Sequence, residues 1–382
     1  MKKMLLATGV LSLALMGCSS AGKKIEVKDN SISWKVAGNL PAPQGYEKQF
    51  GVAAPLYGVI GEHIIIAGGA NFPKGTVLEG GPKTYYPDLF VLKEKDGKLE
   101  VVDKGMLPFE TAHGSSVTAP EGIYYIGGNT QTGLSNKILL VAMENGKIKV
   151  SEAGELPFTI NNATATYKNG KLYILPGSEN GKPSKKFYEF DLATKKTGEL
   201  ETFPGEMRSQ AVSQILAQNG TDRMYVFSGM SPGITDITKT DGYFYDFATG
   251  KWAKAADIII KGAPMTVAGG ASVKLNSEEM LVIGGVNKQY FDNAVYQLGT
   301  LKGEELQKFR QAYFGADAAE YKFNREIVVY NSASNSWRTV GETPFMGPAG
   351  PGLVILNGKI FSINGETKAG IRSEKMYVGT FE

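Results

Sequence analysis

Two short motifs alternate along this 382-residue chain. The first is an apolar run ending in a pair of small residues, at Gly68-Gly69, Gly127-Gly128, Pro176-Gly177, Ser228-Gly229, Gly284-Gly285 and Asn364-Gly365. The second is a proline that closes a polar segment, at Pro41, Pro108, Pro157, Pro204, Pro264 and Pro344. Successive pairs are about 50 to 60 residues apart, except for a last interval of about 80. A regular period of this length indicates a repeat architecture with one supersecondary unit per repeat.

The repeats resemble kelch repeats, each of which forms one four-stranded blade of a β-propeller in about 50 residues. Tyr245 and Trp252 keep the seven-residue kelch spacing, and Tyr330 and Trp337 repeat it. Trp34 precedes VAGNLP much as Trp337 precedes TVGETP. We therefore expect an all-β fold, a six-bladed kelch-type β-propeller, with the tryptophans at the start of outermost strands.

The phase of the repeats predicts how the ring closes. The chain opens with a lone strand at about 31–40, and five complete blades follow between Pro41 and Pro344. The rest of the chain suffices for only three strands, at roughly 350–356, 359–364 and 375–381. We expect the N-terminal strand to complete this sixth blade, because the pairing removes two open strand edges.

The long last interval predicts an insertion at about 300–322. Leu306, Phe309 and Tyr313 fall at i, i+3 and i+7, and the segment 304–314 contains no Gly or Pro. This pattern indicates a short amphipathic helix between the second and third strands of the fifth blade. Two interpretations remain open, a lid over a site and a decoration of the rim.

The N-terminus has the pattern of an export signal. Lys2 and Lys3 precede an apolar run at 4–16, which is too short to span a bilayer. The run ends in LMGCSS, which resembles the bacterial lipoprotein signal and implies cleavage before Cys18 and lipidation of its thiol. The alternative is a plain secretory signal with a stray cysteine.

These features predict a signal peptide at 1–17, a lipidated tether at 18–24 and a single propeller domain at 25–382. The lipoprotein resemblance, with Ser19 after the cysteine, implies an exported protein on the periplasmic side of the outer membrane. We expect the lipid on Cys18 to be the only membrane attachment.

The composition excludes several kinds of site. A single Cys excludes an intrachain disulfide and a Cys-cluster metal site, and two histidines are too few for a typical His-rich zinc or copper centre. The formal net charge of +3 gives no electrostatic case for a nucleic-acid partner. A copper-radical oxidase on this fold would need a cross-linked Cys and His ligands. The sequence does not define the oligomeric state.

Neighbouring strands of a blade run in opposite directions, so the segments after the small pairs and after the prolines reach one face. We expect the site there, because this face collects polar side chains: Asn71, Glu110, His113, Asn129, Asn161, Asn162, Glu179, Arg208, Gln210, Asn287, Glu366 and Arg372. Amides, carboxylates and arginines bind sugars, and Phe72 and Phe291 lie nearby in the sequence. The asparagines have a turn-forming role as an alternative, and His113 a packing role.

Five segments carry a more specific resemblance: AGGANF, MRSQA, IGGVNKQYF, EYKFN and INGETKAGIRS, the last at Ile363–Ser373. Together with the kelch blades they resemble bacterial N-acetylneuraminate epimerases, the sialic acid mutarotases, over essentially the whole propeller. The order of the blades is similar to that of the cyclically permuted mutarotase branch, so the resemblance implies a circularly permuted propeller.

The resemblance also implies roles for particular residues. Glu366 and Arg372 match the proposed catalytic pair of the family. Arg208 and Gln210 match two positions of a substrate-binding segment, in which Ser209 replaces an acidic residue and so removes any role of that acid. We expect substrate contacts from these two residues and from Asn71, Asn287 and His113.

Mutarotation of a 2-keto acid sugar needs a base for the anomeric hydroxyl and an acid for the ring oxygen. A glutamate supplies proton transfer, and an arginine suits a carboxylate because its guanidinium can bind two oxygens at once. This chemistry needs no metal and no cofactor. Two alternatives remain open: a salt bridge between Glu366 and Arg372 that only staples a loop, and a lipid-anchored propeller that binds sialic acid or another glycan without catalysis.

Overall fold

The computed structural model describes residues 25–382, which are mostly β-strands with few helices. Six antiparallel sheets of four or five strands follow one another along the chain, and we number them 1 to 6 in that order. Their strands are, for sheet 1, Leu56–Ile60, His63–Ala67, Ala70–Asn71, Thr84–Lys95 and Lys98–Thr111; for sheet 2, Ser115–Ala119, Gly122–Ile126, Lys137–Glu144 and Lys147–Glu155; for sheet 3, Thr164–Lys168, Lys171–Leu175, Tyr188–Asp191 and Lys196–Glu199; for sheet 4, Val212–Gln218, Thr221–Phe227, Gly242–Asp246 and Lys251–Ala255; for sheet 5, Ala271–Lys274, Glu279–Ile283, Glu326–Asn331 and Ser336–Glu342; and for sheet 6, Gly352–Leu356, Lys359–Ile363, Lys375–Phe381 and Ile32–Asn39.

Short strand pairs and one helical region lie between these sheets. The helical region holds α1 (Lys288–Thr300), α2 (Gly303–Gly315) and a 3₁₀ turn (Ala318–Tyr321). The short strands are Asn129–Thr130 with Gly133–Leu134, Ile160–Asn161 with Ser178–Glu179 and Lys182–Pro183, Ile259–Ile260 with Ala263–Pro264, and Glu366–Lys368 with Ile371–Arg372.

Six hydrophobic clusters of the described residues each lie between two consecutive sheets, and a further cluster includes Ala294 and Tyr313 of the helical region. Ile64 and Ile66 pack in a cluster shared with sheet 6, whereas Ile65 and Ala67 on the other face of the same strand pack against sheet 2. Similar clusters join sheets 2 and 3, 3 and 4, 4 and 5, and 5 and 6. Both faces of a strand are therefore covered, and this is why runs such as IIIA are apolar at every position.

The N-terminal strand completes sheet 6, as the repeat phase predicts. Ile32–Asn39 pairs antiparallel with Lys375–Phe381, and Trp34 lies opposite Gly379. The three predicted C-terminal strands also lie at the expected positions, since they begin at Gly352, Lys359 and Lys375. All three tryptophans lie on the fourth strand of a sheet, at Trp34, Trp252 and Trp337.

Six backbone hydrogen bonds form a closed ring at one end of the first strands. The ring runs from Ala54 to Gly350, Gly269, Gln210, Asn162, His113 and back to Ala54, and each N–H donates to the carbonyl of the next residue at 2.6 to 3.1 Å. Each ring residue lies two positions before the first strand of its sheet and has a φ between 51° and 78°. Four of the six are not glycine, so this left-handed geometry is strained and must be held by the surrounding structure.

The helical insertion is larger than the sequence predicts. The prediction of one helix within 300–322 matches α2, but the insertion begins at Lys288 with α1, which the periodicity analysis missed. The Asn287 side chain caps α1 by accepting a hydrogen bond from the Tyr290 N–H at 3.0 Å. Asparagine is a favourable N-cap, and this signal was present in the sequence.

The predicted signal peptide, Cys18 and the tether lie outside the described residues. Within residues 25–382, every helix is too short or too polar to cross a membrane.

Candidate active site

A cavity of about 900 Å³ lies among the first strands of the six sheets. Hydroxyl groups on these strands face it, among them Ser116, Thr166 and Ser272. The ring residues line it, and so do Glu366 and Arg372. Because first and second strands of a sheet run in opposite directions, the segment after the second strand of sheet 6 returns to the ring end. The cavity therefore has a polar wall, and Glu366 and Arg372 lie at its ring end.

Glu366 occupies a position that recurs in every sheet. Its backbone pairs with Ala349, the residue before ring residue Gly350, through N···O hydrogen bonds of 2.7 and 2.8 Å. The residues that make the corresponding contact in sheets 1 to 5 are Ala70, Asn129, Ser178, Met230 and Val286. Among these six equivalent positions only the one in sheet 6 has a carboxylate side chain, and the other five side chains are uncharged.

Arg372 faces Glu366 across a short hairpin. The two residues are register partners in the strands Glu366–Lys368 and Ile371–Arg372, and Arg372 Nη2 lies 2.6 Å from Glu366 Oε2. Gly370 allows the turn between them, because its φ is 83° and a Cβ there would lie 2.6 Å from Val77. Gly370 of the INGETKAGIRS segment is thus required by its backbone geometry and by the close approach of the loop that carries Val77.

The Arg372 guanidinium is buried but only partly paired. Its side chain is 3% exposed, and its Nε and Nη1 atoms are buried without a hydrogen-bond partner. Its face lies over the ring of Phe72, with Cζ 4.9 Å from the ring centroid. Because a buried N–H without an acceptor is costly, these donors are ready to bind oxygen atoms of a ligand.

The pKa of Glu366 is raised above its ordinary value. Burial is the largest cause, and the positive charges of Arg372 and Lys83 oppose it together with the Gly370 N–H. The Glu366 side chain keeps 24% of its surface accessible, so this carboxylate can reach a ligand in the cavity. A raised pKa brings a carboxyl group closer to the pH at which it can both accept and return a proton.

His113 is a ring residue with a neutral side chain. Burial lowers its pKa to about 3, and the charges of Lys83 and Arg372 add to the effect. Its Nε2 atom is buried without a partner, and the residue lines the cavity. At neutral pH the imidazole is therefore available as a hydrogen-bonding group and not as a cation.

Gln210 also lies on the ring and lines the cavity, so the structure brings Glu366, Arg372, His113 and Gln210 together. Two members of the helical region, Phe291 and Tyr313, line the same cavity. The insertion therefore contributes to the wall of the site, as the lid interpretation requires, and it adds aromatic surface of the kind that sugars contact.

The structure does not bring Arg208 to this cavity, contrary to the sequence expectation. Its side chain is fully buried and binds both carboxylate oxygens of Asp241, at 2.6 and 3.1 Å. It also donates to the carbonyls of Glu206 and Ser228 and stacks on Phe203. With these contacts Arg208 has a structural role between sheets 3 and 4, and its donors are not free for a ligand.

Asn71 and Asn287 also lie outside the cavity wall. Asn71 is 1% exposed, donates to the Gly51 carbonyl at 2.7 Å and accepts from the Tyr86 hydroxyl at 2.6 Å. Asn287 caps α1. For both residues the turn-forming or capping alternative describes the contacts better than the predicted contact with substrate.

Sequence reasoning missed Lys83, which lines the cavity near Phe72. It lies in the segment GGPKTYYPD, where no motif singles it out. Its approach to the site depends on the pairing of Asn71 with Thr84 in sheet 1, which a linear pattern does not contain.

No group of three or more His, Cys, Asp or Glu side chains among residues 25–382 is arranged to hold a metal ion. The charged groups around Glu366 are its own carboxylate, the Arg372 guanidinium and the Lys83 ammonium, whereas Lys168, Lys274 and Asp222 line the cavity at the ends of the strands away from the ring. The three groups at Glu366 can bind an anion and move a proton.

Comparison with known proteins gives the family. A family model described as N-acetylneuraminate epimerase matches residues 2–150 and 154–382. Proteins named N-acetylneuraminate epimerase from Yersinia enterocolitica serotype O:8 / biotype 1B and from Salmonella typhi are 32% and 31% identical over 233 and 229 residues. The alignments cover 59% and 58% of this chain.

The aligned part spans 56% of the length of each of these relatives, a little over half. A solved structure named "Structure of YjhT" superposes with a TM-score of 0.49 at 28% identity, over 57% of this chain and 61% of that one. Because the family model matches nearly all of its residues, the chain belongs to the N-acetylneuraminate epimerase family.

Proposed function

We propose that this protein is an epimerase that interconverts the α and β anomers of N-acetylneuraminate. The observation that carries the proposal is the buried Glu366–Arg372 pair in the cavity, in which the guanidinium keeps two buried atoms without partners. N-acetylneuraminate is a 2-keto acid sugar with a carboxylate on the anomeric carbon. A guanidinium that can bind two oxygens beside a carboxyl group matches this arrangement. The names of the relatives agree with it.

In the proposed reaction Glu366 moves a single proton. Its carboxylate takes the proton of the anomeric hydroxyl, the bond between the anomeric carbon and the ring oxygen breaks, and the ring oxygen receives a proton. The product is the open-chain ketone with a free hydroxyl. Rotation about the bond to the ketone carbon, followed by the reverse steps on its other face, gives the second anomer. No atom is gained or lost, and no redox or metal step occurs.

The environment of Glu366 suits this role, because burial raises its pKa toward neutral pH. General acid–base catalysis of this kind contributes about 10²–10⁴-fold to a rate. That factor suffices for a reaction that proceeds measurably without an enzyme.

Arg372 holds the substrate for this proton transfer. One of the free donors, Nε or Nη1, binds an oxygen of the carboxylate, while Nη2 stays on Glu366. The guanidinium thus connects the substrate to the proton-transfer group. His113 and Gln210 supply hydrogen bonds to the hydroxyl and amide groups of the sugar from the ring side of the cavity.

We also propose that the six sheets are the blades of a circularly permuted six-bladed propeller. The closed ring of backbone hydrogen bonds and the core cluster between sheets 6 and 1 support this architecture. The N-terminal strand in sheet 6 supports the permutation. A linear alignment of permuted chains covers only the part that has the same order in both. The coverage of 56% to 60% agrees with this explanation.

For the cellular location we propose a lipid anchor on Cys18 that holds the propeller on the periplasmic side of the outer membrane. The support is the LMGCSS segment after an apolar run. Mass spectrometry of the membrane fraction, with a Cys18→Ala variant as control, tests the anchor. A wild-type chain that is released in soluble form contradicts it.

The function is tested by saturation-transfer NMR of N-acetylneuraminate with the purified protein. We expect the protein to accelerate exchange between the α and β anomer signals in proportion to its concentration. A protein that binds N-acetylneuraminate without any gain in exchange rate would support the glycan-binding alternative and contradict an epimerase.

A further inference from the structure

The charge balance around Glu366 and Arg372 points to Lys83. Glu366 and Arg372 lie 2.6 Å apart, so their charges cancel within the pair. Lys83 lines the same cavity, and within residues 25–382 no carboxylate forms an ion pair with it. The three groups together carry one positive charge, and the Lys83 ammonium is its source.

The backbone fixes where Lys83 lies. It immediately precedes the strand Thr84–Lys95, whose residue Thr84 pairs with Asn71. This pairing brings Lys83 beside Phe72, the residue after Asn71. The Lys83 Nζ lies 5.8 Å from the Phe72 ring centroid, and the Arg372 Cζ lies 4.9 Å from the same centroid. One aromatic ring therefore contacts both cations.

The electrostatic surroundings of Lys83 agree with this position. Burial lowers the pKa of its ammonium, the charge of Arg372 lowers it further, and the charge of Glu366 opposes both. A cation that is partly desolvated and forms no ion pair gains more from a bound anion than an exposed lysine does.

We propose that Lys83 is a specificity residue that binds the carboxylate of an acidic sugar together with Arg372. The inference rests on the proposed function. A substrate carboxylate would bring the summed charge of Glu366, Arg372 and Lys83 to zero, whereas without Lys83 the carboxylate and the pair would sum to minus one. Lys83 therefore selects acidic sugars over neutral ones of the same shape.

The test compares N-acetylneuraminate with its methyl ester, which keeps the anomeric hydroxyl and lacks the negative charge. For each variant, kcat/KM from anomer exchange and Kd from calorimetry are measured for both ligands. For Lys83→Met we expect KM and Kd for the acid to rise about 10- to 100-fold, with values for the ester nearly unchanged. The preference for acid over ester then falls by the same factor.

Two variants serve as controls. Lys83→Arg keeps the charge and should keep most of the preference, whereas Lys74→Met removes an exposed lysine outside the cavity wall and should behave as wild type. Thermal unfolding of each variant reports on folding. A Lys83→Met protein that folds and retains the wild-type preference for the acid overturns the inference.

The same data separate this inference from the proposed function. A wild type that binds the acid without accelerating exchange contradicts the epimerase, and the ratio of the two Kd values still decides the role of Lys83. A wild type that binds neither ligand contradicts both.

Discussion

Glu366 is the residue on which the proposed chemistry depends, and its surroundings set its acidity. Burial raises its pKa, while Arg372, Lys83 and the Gly370 N–H oppose that rise without cancelling it. Tyr313 and Tyr321 lie close enough that the negative charge of Glu366 contributes to raising the pKa of their hydroxyl groups, after the larger effect of burial. The carboxylate form must be present to act as a base, so activity depends on pH through this group.

The first prediction concerns the pH profile of the free enzyme. We expect kcat/KM for anomer exchange, corrected for the spontaneous rate, to rise with pH through a midpoint above 4.5, the ordinary value for this carboxyl group. NMR exchange rates at a series of pH values measure the midpoint. An acidic limb centred at or below 4.5 contradicts the assignment of Glu366 as the buried base.

His113 leads to a prediction about stability. Its pKa is about 3 in the folded protein and 6.5 when unperturbed, so between these values the unfolded chain binds the extra proton. Stability is then lost as the pH falls below about 6.5, by about 2 kcal/mol between pH 7 and pH 5. In His113→Asn this contribution should be absent, because asparagine does not titrate and tolerates the φ of 62°.

Urea unfolding of both proteins at the two pH values measures the effect. If wild type and His113→Asn lose the same stability between pH 7 and pH 5, the imidazole is not buried in its neutral form.

For single residues, the sequence predicted which side chains lie at the cavity better than it predicted which side chains contact one another. Glu366, Arg372, His113 and Gln210 lie at the cavity as expected. Arg208 does not, because its side chain is bound to Asp241, 33 residues away and directly before the third strand of sheet 4. No local pattern reveals a partner at that separation, and none reveals the approach of Lys83.

At the scale of elements, the helical insertion is tied to the hairpin that carries Glu366 and Arg372. Lys368 on that hairpin donates to the carbonyls of Phe314 and Ala316, at 3.1 and 2.6 Å, where α2 ends. These carbonyls have no partners within the helix, and a cation there also complements the helix dipole. The contact connects the hairpin of Glu366 and Arg372 to the cavity wall that Tyr313 provides.

The sequence predicted α2 from its apolar spacing but missed α1. Its start signal, Asn287, is among the residues expected to contact substrate, whereas in the structure it caps α1. The helix α1 begins at Lys288, shortly after the small pair Gly284-Gly285 that ends an apolar strand. The start of the helix is therefore hard to separate from the end of the repeat motif.

A third prediction follows for Lys368→Met. We expect a several-fold loss of kcat for anomer exchange, because the hairpin that carries Glu366 loses its contact with α2. The change in KM should be smaller, because Arg372 and Lys83 can still donate hydrogen bonds to the substrate carboxylate. Hydrogen exchange at the end of α2 should accelerate. Lys308→Met removes an exposed lysine of α2 that pairs with Glu304, and it is the matched control. Equal kcat values in the Lys368 variant and in this control would contradict a link between the two elements.

At the scale of the whole molecule, the two ends of the chain meet in one sheet. Sequence spacing alone predicted this join, because small-residue pairs and prolines occur at fixed places in the repeat. The hydrogen-bonded ring could not be predicted, since nothing local marks Ala54 or Gln210 for a left-handed backbone. Those conformations arise only when six neighbouring segments constrain one another.

A fourth prediction tests the join. A Cβ on Gly379 would lie 2.7 Å from Ile360, 2.8 Å from Ile32 and 3.1 Å from Trp34, so Gly379→Ala pushes the N-terminal strand away from its partner. We expect a loss of about 1–3 kcal/mol in the free energy of unfolding, measured in urea. Gly315→Ala adds a methyl group where no heavy atom lies within 4 Å, and it should not show this loss. Equal stability of the two variants would contradict the join in solution.

In the proposed reaction Glu366 transfers the proton that opens and closes the sugar ring. NMR anomer exchange of N-acetylneuraminate with Glu366→Gln tests this role, measured beside calorimetric binding of the same ligand. Glu374→Gln, a nearby glutamate outside the cavity wall, is the control. We predict that Glu366→Gln still binds N-acetylneuraminate but exchanges its anomers only at the spontaneous rate, while the control keeps the wild-type rate. A Glu366→Gln protein that exchanges anomers as fast as wild type would contradict proton transfer by Glu366.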